Sequence, residues 1–351
     1  MQPPLYPALL SLVFRLFGIY TLTSAFVILA INSLFSALTC IPVYFSAKYS
    51  LGARGAKLAA WVWAFYPFAI YFSASRVWEY ALTGLLFTTC FCIAQRIHRA
   101  SNPLAWLGFG ALYGFTALSN PSVLSTLPFL LLLALYKVRR FGGRWLVNGA
   151  LTTIAVIAIL SPWTVRNYRA LGVLCPVRDN VWLEIYSGNY GDPSLNSIAP
   201  HPVNNLNEMQ KFLSMGETAY LAEKHSLAIN CIKTLPQFIA QKTLRRILYY
   251  WTGYWSFSAD ELQREQYSPG NVLYCSSITL LMLLGVRRLW RVNRAGVLPY
   301  LILIGIFPLT YYITYPLMDY RQAIEPAIVV LATAGVMSWR RLQPSQTAEL
   351  G

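Results

Sequence analysis

Acidic side chains are scarce in this chain: thirteen Asp and Glu among 351 residues, against twenty-eight Lys and Arg. Charge of either sign reaches only 12%, where soluble domains carry about a quarter, and 56% of residues are hydrophobic. A soluble globular enzyme is excluded on this ground. Three histidines, His98, His201 and His225, lie far apart, with no HxxxH spacing and no Ser-His-Asp order. No Walker or GxGxxG loop occurs, so no nucleotide cofactor is expected. The six cysteines offer one CxC, Cys90 and Cys92, without a neighbouring histidine, so a zinc site has no support. No divalent metal or other cofactor is expected. Cys175 and Cys231 share one segment and are the pair to consider for a disulfide, on spacing alone.

What is present in quantity is long apolar sequence. Thr21–Tyr44 and Trp145–Trp163 are free of charge and long enough to cross a hydrocarbon core of about 30 Å. The pattern reads as an all-α polytopic membrane protein with about nine spans. They lie near 20–46, 54–74, 77–97, 103–118, 121–137, 145–163, 270–287, 295–315 and 321–340. Three parts follow: a transmembrane block at 1–163 with six spans, an external segment at 164–268, and a second block at 269–351 with three spans and a polar tail.

Placed on these spans, the excess of +15 becomes topology. Lys48, Arg54, Lys57, Arg96, Arg99, Lys137, Arg139, Arg140, Arg144, Arg287, Arg288, Arg291, Arg294, Arg340 and Arg341 fall in alternate loops. The positive-inside rule puts those loops and the C-terminus in the cytoplasm. Nucleic acid is therefore not an expected partner; membrane lipid is. Of the carboxylates only Glu349 is cytoplasmic. The others, Asp192, Asp260, Glu261 and Glu265 among them, fall on the outer face, where carboxylate chemistry would have to take place.

The external segment reads as a loop holding one short strand, VWLEIY, followed by a helix near 207–230 and a second helix opened by Pro236. In the second, Lys242, Arg245 and Arg246 precede Tyr249, Tyr250, Trp251, Tyr254 and Trp255. That is the composition of an amphipathic helix at lipid headgroups.

The span midplanes contain no ionisable residue, which counts against an ion-coupled transporter. Ionisable residues instead ring the outer span ends: Arg76, Glu79, Arg166, Arg169, Arg178, Asp179, Asp319, Arg321 and Glu325. Guanidinium matches phosphate oxygens bidentately. Arg76, Arg166, Arg178 and Arg321 are therefore candidate contacts for a lipid phosphate. Each alone is better explained by snorkelling or by pairing with Glu79, Asp179 or Glu325; only the set weighs evenly toward a phosphate.

PPLYPALLSLVFRLFG at the start, LSNPS at 118–122, SPWTVRNY at 161–168, PVRDN at 176–180 and YRQAIEP at 320–326 together resemble the polyprenyl-phosphate-sugar-dependent glycosyltransferases. These are glycosyltransferase family 39 in the broad sense, relatives of protein O-mannosyltransferases and of the lipid A aminoarabinose transferase. The resemblance implies the C-type superfamily fold and an inverting transfer of sugar from a polyprenyl phosphate to an acceptor hydroxyl. It implies donor-phosphate contacts at Arg166, Arg178 and Arg321, and an acidic residue at Glu79. It also makes Asp179, Asn180, Glu184, Asn189, His201, Tyr320 and Glu325 expected substrate-site residues, although turn chemistry accounts equally for Asn180 and Asn189. In that family a first transmembrane helix and an external loop with the catalytic Asp precede the PPLYP-like segment, and the first carboxylate here is Glu79. The expectation is a chain lacking that helix and loop, with weak or absent activity alone. The acceptor, a glycan, lipid or protein, is not readable. The expected location is a bacterial inner membrane with the active face outside. The alternative reading is a lipid-linked sugar flippase or a non-catalytic membrane partner, which would need a hydrophilic cavity through the bilayer.

Overall fold

A computed structural model of the chain describes residues 2–190, 200–203, 205–253, 269–314 and 318–337. Expectations placed on Asp192, Tyr254, Trp255, Asp260, Glu261, Glu265, Arg340, Arg341 and Glu349 lie outside the described residues. Within them every regular element is helical. The helices are α1 Leu5–Phe17, α2 Leu22–Leu38, α3 Cys40–Ala64, α4 Pro67–Ser75, α5 Tyr80–Ala94, α6 Pro103–Ala117, α7 Leu127–Arg140 and α8 Trp145–Leu171. They continue as α9 Val181–Asn189, α10 Leu206–Met215, α11 Glu217–Thr234, α12 Pro236–Thr252, α13 Pro269–Val292, α14 Arg294–Ile306, α15 Leu309–Ile313 and α16 Glu325–Val336.

The protein is an all-α, multi-pass membrane protein. Among the described residues four helical runs are long and apolar enough to cross a membrane: Leu22–Ala64, Trp145–Leu171, Asn271–Val292 and Arg294–Ile313. α1, α5 and α16 are shorter apolar helices.

Helix starts follow side-chain chemistry. Thr21 accepts the Ser24 amide at 3.1 Å, Asn205 accepts that of Glu208 at 3.0 Å, and Asn293 accepts that of Gly296 at 2.9 Å. Pro103 and Pro236 open α6 and α12, where a missing N–H costs nothing.

Three local expectations are corrected. VWLEIY is the start of helix α9 rather than a strand: its run is short, and local bonds such as Glu184 N–H to the Asn180 carbonyl at 3.0 Å close a helical turn. The loop expected between the first two spans is helix as well, since α3 runs through Lys48, Arg54 and Lys57, interrupted only at Gly52 with φ 74°. The single helix expected near 207–230 is two, α10 and α11, broken at Gly216 with φ 77°, a conformation glycine adopts without steric cost. All six cysteines are free, so Cys175 and Cys231 are not bridged.

The chain divides into two compact units. Unit 1 comprises Met1–Gln2, Ser161–Val272 and Pro308–Met318; unit 2 comprises Pro3–Leu160, Leu273–Phe307 and Asp319–Gly351. In unit 1, α9 packs along α11, with Tyr220, Ala228 and Tyr250 in the core. In unit 2, α16 is the central element: every residue from Glu325 to Gly335 is buried, and it packs on α3, α5 and α14. A helix apolar on all sides has no solvent face to offer and belongs inside a bundle. α16 crosses α13 at Gly335 and Gly285. A Cβ at Gly285 would meet the Leu331 carbonyl at 1.8 Å, and one at Gly335 the Leu281 carbonyl at 2.1 Å. Such small-residue contacts let backbones approach where lipid removes the hydrophobic drive for association.

Candidate functional site

Within each unit, a pair of the motifs singled out in the sequence is joined through main-chain carbonyls. In unit 1, three side chains of SPWTVRNY bond three successive carbonyls just before Arg178. Trp163 Nε1 donates to Val177 at 3.1 Å, Thr164 Oγ1 to Pro176 at 3.1 Å, and Asn167 Nδ2 to Cys175 at 3.0 Å. Asn167 is fully buried, so this clasp fixes the chain that delivers Arg178, Asp179 and Asn180 to the start of α9. Arg166 lies over the Trp163 ring at 4.9 Å and donates to Asn167 Oδ1 at 3.3 Å.

The polar cluster at the start of α9 is built around Glu184. Arg178 Nη2 donates to Glu184 Oε1 at 3.1 Å, and the buried Asn180 amide donates to the same oxygen. A carboxylate in the first helical turn is also favoured by the helix dipole. Glu184 Oε2 and Arg178 Nε are buried and have no hydrogen-bond partner among the described residues. One acceptor and one donor thus stand open beside an existing ion pair, the arrangement that a ligand hydroxyl satisfies by donating to one and accepting from the other. His201 faces the same cluster. Burial holds its imidazole below the ordinary 6.5; Glu184 opposes that shift, and Arg178 adds to it.

Asn189, at the other end of α9, is a bridge. Its amide donates to the carbonyls of Ile185 and Ile313, each at 2.8 Å, and its oxygen accepts from Arg246 at 3.1 Å. Arg246 and Lys242 were unremarkable in the sequence beyond their place in a basic, aromatic helix. Both are buried against the C-terminal end of α9, where cations meet its carbonyls: Arg246 at Gly188, Lys242 at Tyr190. Burial pushes the Arg246 guanidinium down to about 10. Lys224, also buried, pairs with Glu208 at 2.9 Å, and Tyr220 donates to Glu208 at 2.6 Å.

In unit 2, PPLYP meets LSNPS: the Leu5 amide donates to the Leu118 carbonyl at 3.0 Å, and Ser119 shares a 2.8 Å hydrogen bond with Thr83. Asn32 donates to the Tyr6 hydroxyl at 2.9 Å and to the Arg76 carbonyl at 3.2 Å, holding the turn before Glu79. The Arg76 side chain is exposed and Glu79 half-buried. The Tyr80 hydroxyl donates to Asp319 at 3.2 Å, drawing that turn to the YRQAIEP segment, where Tyr320 is half-buried. Arg321 and Glu325, one helical turn apart, are fully buried and paired, and the Tyr66 hydroxyl donates to the second Glu325 oxygen at 2.7 Å. Among the described residues no group of His, Cys, Asp and Glu is arranged to hold a metal ion.

Comparison with known proteins agrees with the motif reading over the first part of the chain. Residues 1–164 match the profile of a family described as dolichyl-phosphate-mannose-protein mannosyltransferase. No curated protein sequence matches the chain. Among solved structures, archaeal oligosaccharyltransferase AglB from Archaeoglobus fulgidus, in complex with an inhibitory peptide and a dolichol-phosphate, matches with a TM-score of 0.49 and 13% identity. The match covers 95% of this chain and 42% of AglB. Over residues 1–164, the resemblance to the lipid-phosphate-sugar-dependent glycosyltransferases therefore rests on the family profile as well as on the motifs.

Proposed function

We propose that the chain serves a membrane glycosyltransferase that moves a sugar from a polyprenyl-phosphate donor to an acceptor hydroxyl. The observation that carries this reading is the family match over residues 1–164. The open donor and acceptor at Arg178 Nε and Glu184 Oε2 support it, because sugars present hydroxyl groups that need both. The basic loops face the cytoplasm by the positive-inside rule, which leaves this chemistry on the outer side.

In this reading Arg166 and Arg178 of unit 1 offer guanidinium groups to the donor phosphate, and the exposed Arg76 is the candidate within unit 2. Asp179, Asn180, Glu184 and His201 of unit 1 surround a sugar or acceptor hydroxyl, and the half-buried Tyr320 is a candidate substrate contact within unit 2. The Arg321–Glu325 pair serves the scaffold of unit 2, and Asn189 that of unit 1. The acceptor oxygen forms a bond to the anomeric carbon while the bond to the lipid phosphate oxygen breaks, and the phosphate leaves with its electron pair. A carboxylate takes the acceptor proton; Glu79 is the assignment within this chain. General-base assistance of that kind is worth roughly 10²–10⁴-fold.

The test uses the purified chain in lipid nanodiscs with radiolabelled polyprenyl-phosphate sugar. Expected are saturable binding of polyprenyl phosphate and a loss of about tenfold in affinity for Arg178→Gln, the size of a lost charge-assisted contact. Binding that is absent, or identical in native and variant protein with no labelled sugar transferred, would overturn the proposal.

A further inference from the structure

At one end of unit 2, four basic side chains gather where, among the described residues, no carboxylate pairs with them. α5 ends in the short turn Ile97–Arg99, which packs on the C-terminal part of α7. Lys137 of α7 donates to the Tyr49 hydroxyl at 3.2 Å, and the Arg96 guanidinium lies 5.6 Å from the centre of the same ring. Arg96 also donates to Cys92 Sγ at 3.2 Å and to the Phe45 carbonyl. His98 Nδ1 is buried with no hydrogen-bond partner among the described residues. Its imidazole is pushed down to about 4, chiefly by burial and then by Lys137 and Arg99.

Snorkelling explains ordinary basic residues at span ends. Arg139 and Arg140, in the last turn of α7, are exposed, with Arg139 lying 5.3 Å from the centre of the Trp145 ring. Arg96 and Lys137 are half-buried, turn onto the same tyrosine and bear a mutual repulsion that a lowered dielectric strengthens. An arrangement of that kind is complete with an anion. Tyr49, having accepted from Lys137, keeps its own proton to donate, and His98 Nδ1 can donate in one tautomer.

We propose that Tyr49, Arg96, His98, Arg99 and Lys137 form a binding site for the phosphate of an anionic lipid headgroup. A lipid is favoured over free phosphate because apolar surface stands at the same place. The rings of Phe45 and Tyr136, next to the Arg96 contact and to Lys137, are 46% and 63% exposed, a suitable surface for acyl chains. Juxtamembrane basic clusters attract anionic lipids electrostatically.

The experiment measures binding of phosphatidylglycerol to the purified chain by native mass spectrometry and by its shift of the thermal midpoint. Phosphatidylcholine and inorganic phosphate serve as comparison probes. Phosphatidylglycerol is expected to stabilise the native chain and phosphatidylcholine much less. Arg96→Gln/Lys137→Gln should weaken phosphatidylglycerol by about tenfold or more, and Arg139→Gln/Arg140→Gln, with the same loss of charge, by no more than about twofold. Tyr49→Phe, which removes one hydroxyl and little packing, should weaken it several-fold and guards against a folding defect in the double variant. Equal loss in both double variants would mean diffuse attraction and overturn the site. Stabilisation by inorganic phosphate equal to that by phosphatidylglycerol would overturn its assignment to lipid.

Discussion

Arg246 donates to the side-chain oxygen of Asn189 at 3.1 Å, fifty-seven residues away in sequence, and no carboxylate stands beside it among the described residues. Its other partners are the carbonyls of Gly188, Tyr312 and Ile313. The guanidinium is thus a three-way clamp joining α12, the end of α9 and the end of α15. Hydrogen bonds to a charged group contribute about 1.5–3 kcal/mol, and losing the donor leaves buried acceptors unsatisfied. Arg246→Leu is expected to cost about 3 kcal/mol or more. Arg246→Lys should recover only part, since an ammonium lacks the planar fork. Chemical denaturation of unit 1 spectroscopic signals in detergent would show this; equal stability of the lysine variant and native chain would contradict the clamp.

The same junction sets a limit at Gly188. A Cβ there would lie 1.9 Å from the Thr314 carbonyl oxygen, a backbone atom that cannot rotate away. Gly188→Ala must push α9 from the end of α15 and so strain the Arg246 contacts, a cost of several kcal/mol by overpacking. Gly305 is the control. It lies inside α14 with nothing within 4 Å of a built Cβ. Gly305→Ala should be neutral or stabilising by about 0.5–1 kcal/mol. Comparing expression and thermal midpoints of the two variants checks the contrast.

Why the sequence showed the bundle but not this clamp follows from the residues. Charge-free runs such as Thr21–Tyr44 declare membrane helices because length and composition suffice. VWLEIY does not declare its state: in α9 Leu183, Ile185 and Ser187 are buried, an alternation that a strand would also show. The break at Gly216 needs φ 77°, and glycine inside a polar helical run gives no warning that this freedom is used. Arg178, Asn180 and Glu184 sit within seven residues of one another, so their cluster could be anticipated. Arg246 could not be, because its partners are main-chain carbonyls, which leave no mark in sequence. Asn189 next to Gly188 was the one available signal, and turn chemistry explained it equally well.

Arg321 and Glu325 allow a sharper energetic test. Both are fully buried, and Tyr66 adds a hydrogen bond to the carboxylate. Breaking a buried pair from one side costs about 3–5 kcal/mol, because the remaining charge is stranded, whereas replacing both partners by apolar groups is often nearly neutral. Arg321→Met and Glu325→Leu are therefore each expected to destabilise strongly, and the double variant far less than their sum. Tyr66→Phe should cost about 1–3 kcal/mol. A double-mutant cycle on thermal or denaturant stability measures the coupling. Additive losses would show that the two charges do not depend on each other.

Acid should loosen unit 1 in two stages. His201 resists protonation because it is buried, with Glu184 opposing and Arg178 reinforcing the shift below 6.5. As pH falls, the unfolded chain takes up that proton first. The stability tied to neutral His201 is therefore fully present above about 6.5 and is lost as pH drops toward the depressed value. Glu208 contributes the second stage. Burial alone would raise its carboxyl, but hydrogen bonds from Tyr220 and Lys224 prevail and hold it below 4.5. Its contribution is present above 4.5 and disappears as pH falls through the folded value. Thermal midpoints of the native chain, His201→Gln and Glu208→Gln between pH 8 and 3 separate the stages. The His201 variant should lose the slope just below pH 6.5 while keeping the one below 4.5, and the Glu208 variant the reverse. His98, with its own depressed value, titrates equally in all three proteins and cancels from the differences. Parallel curves for native and His201→Gln protein above pH 4.5 would remove His201 from the acid response.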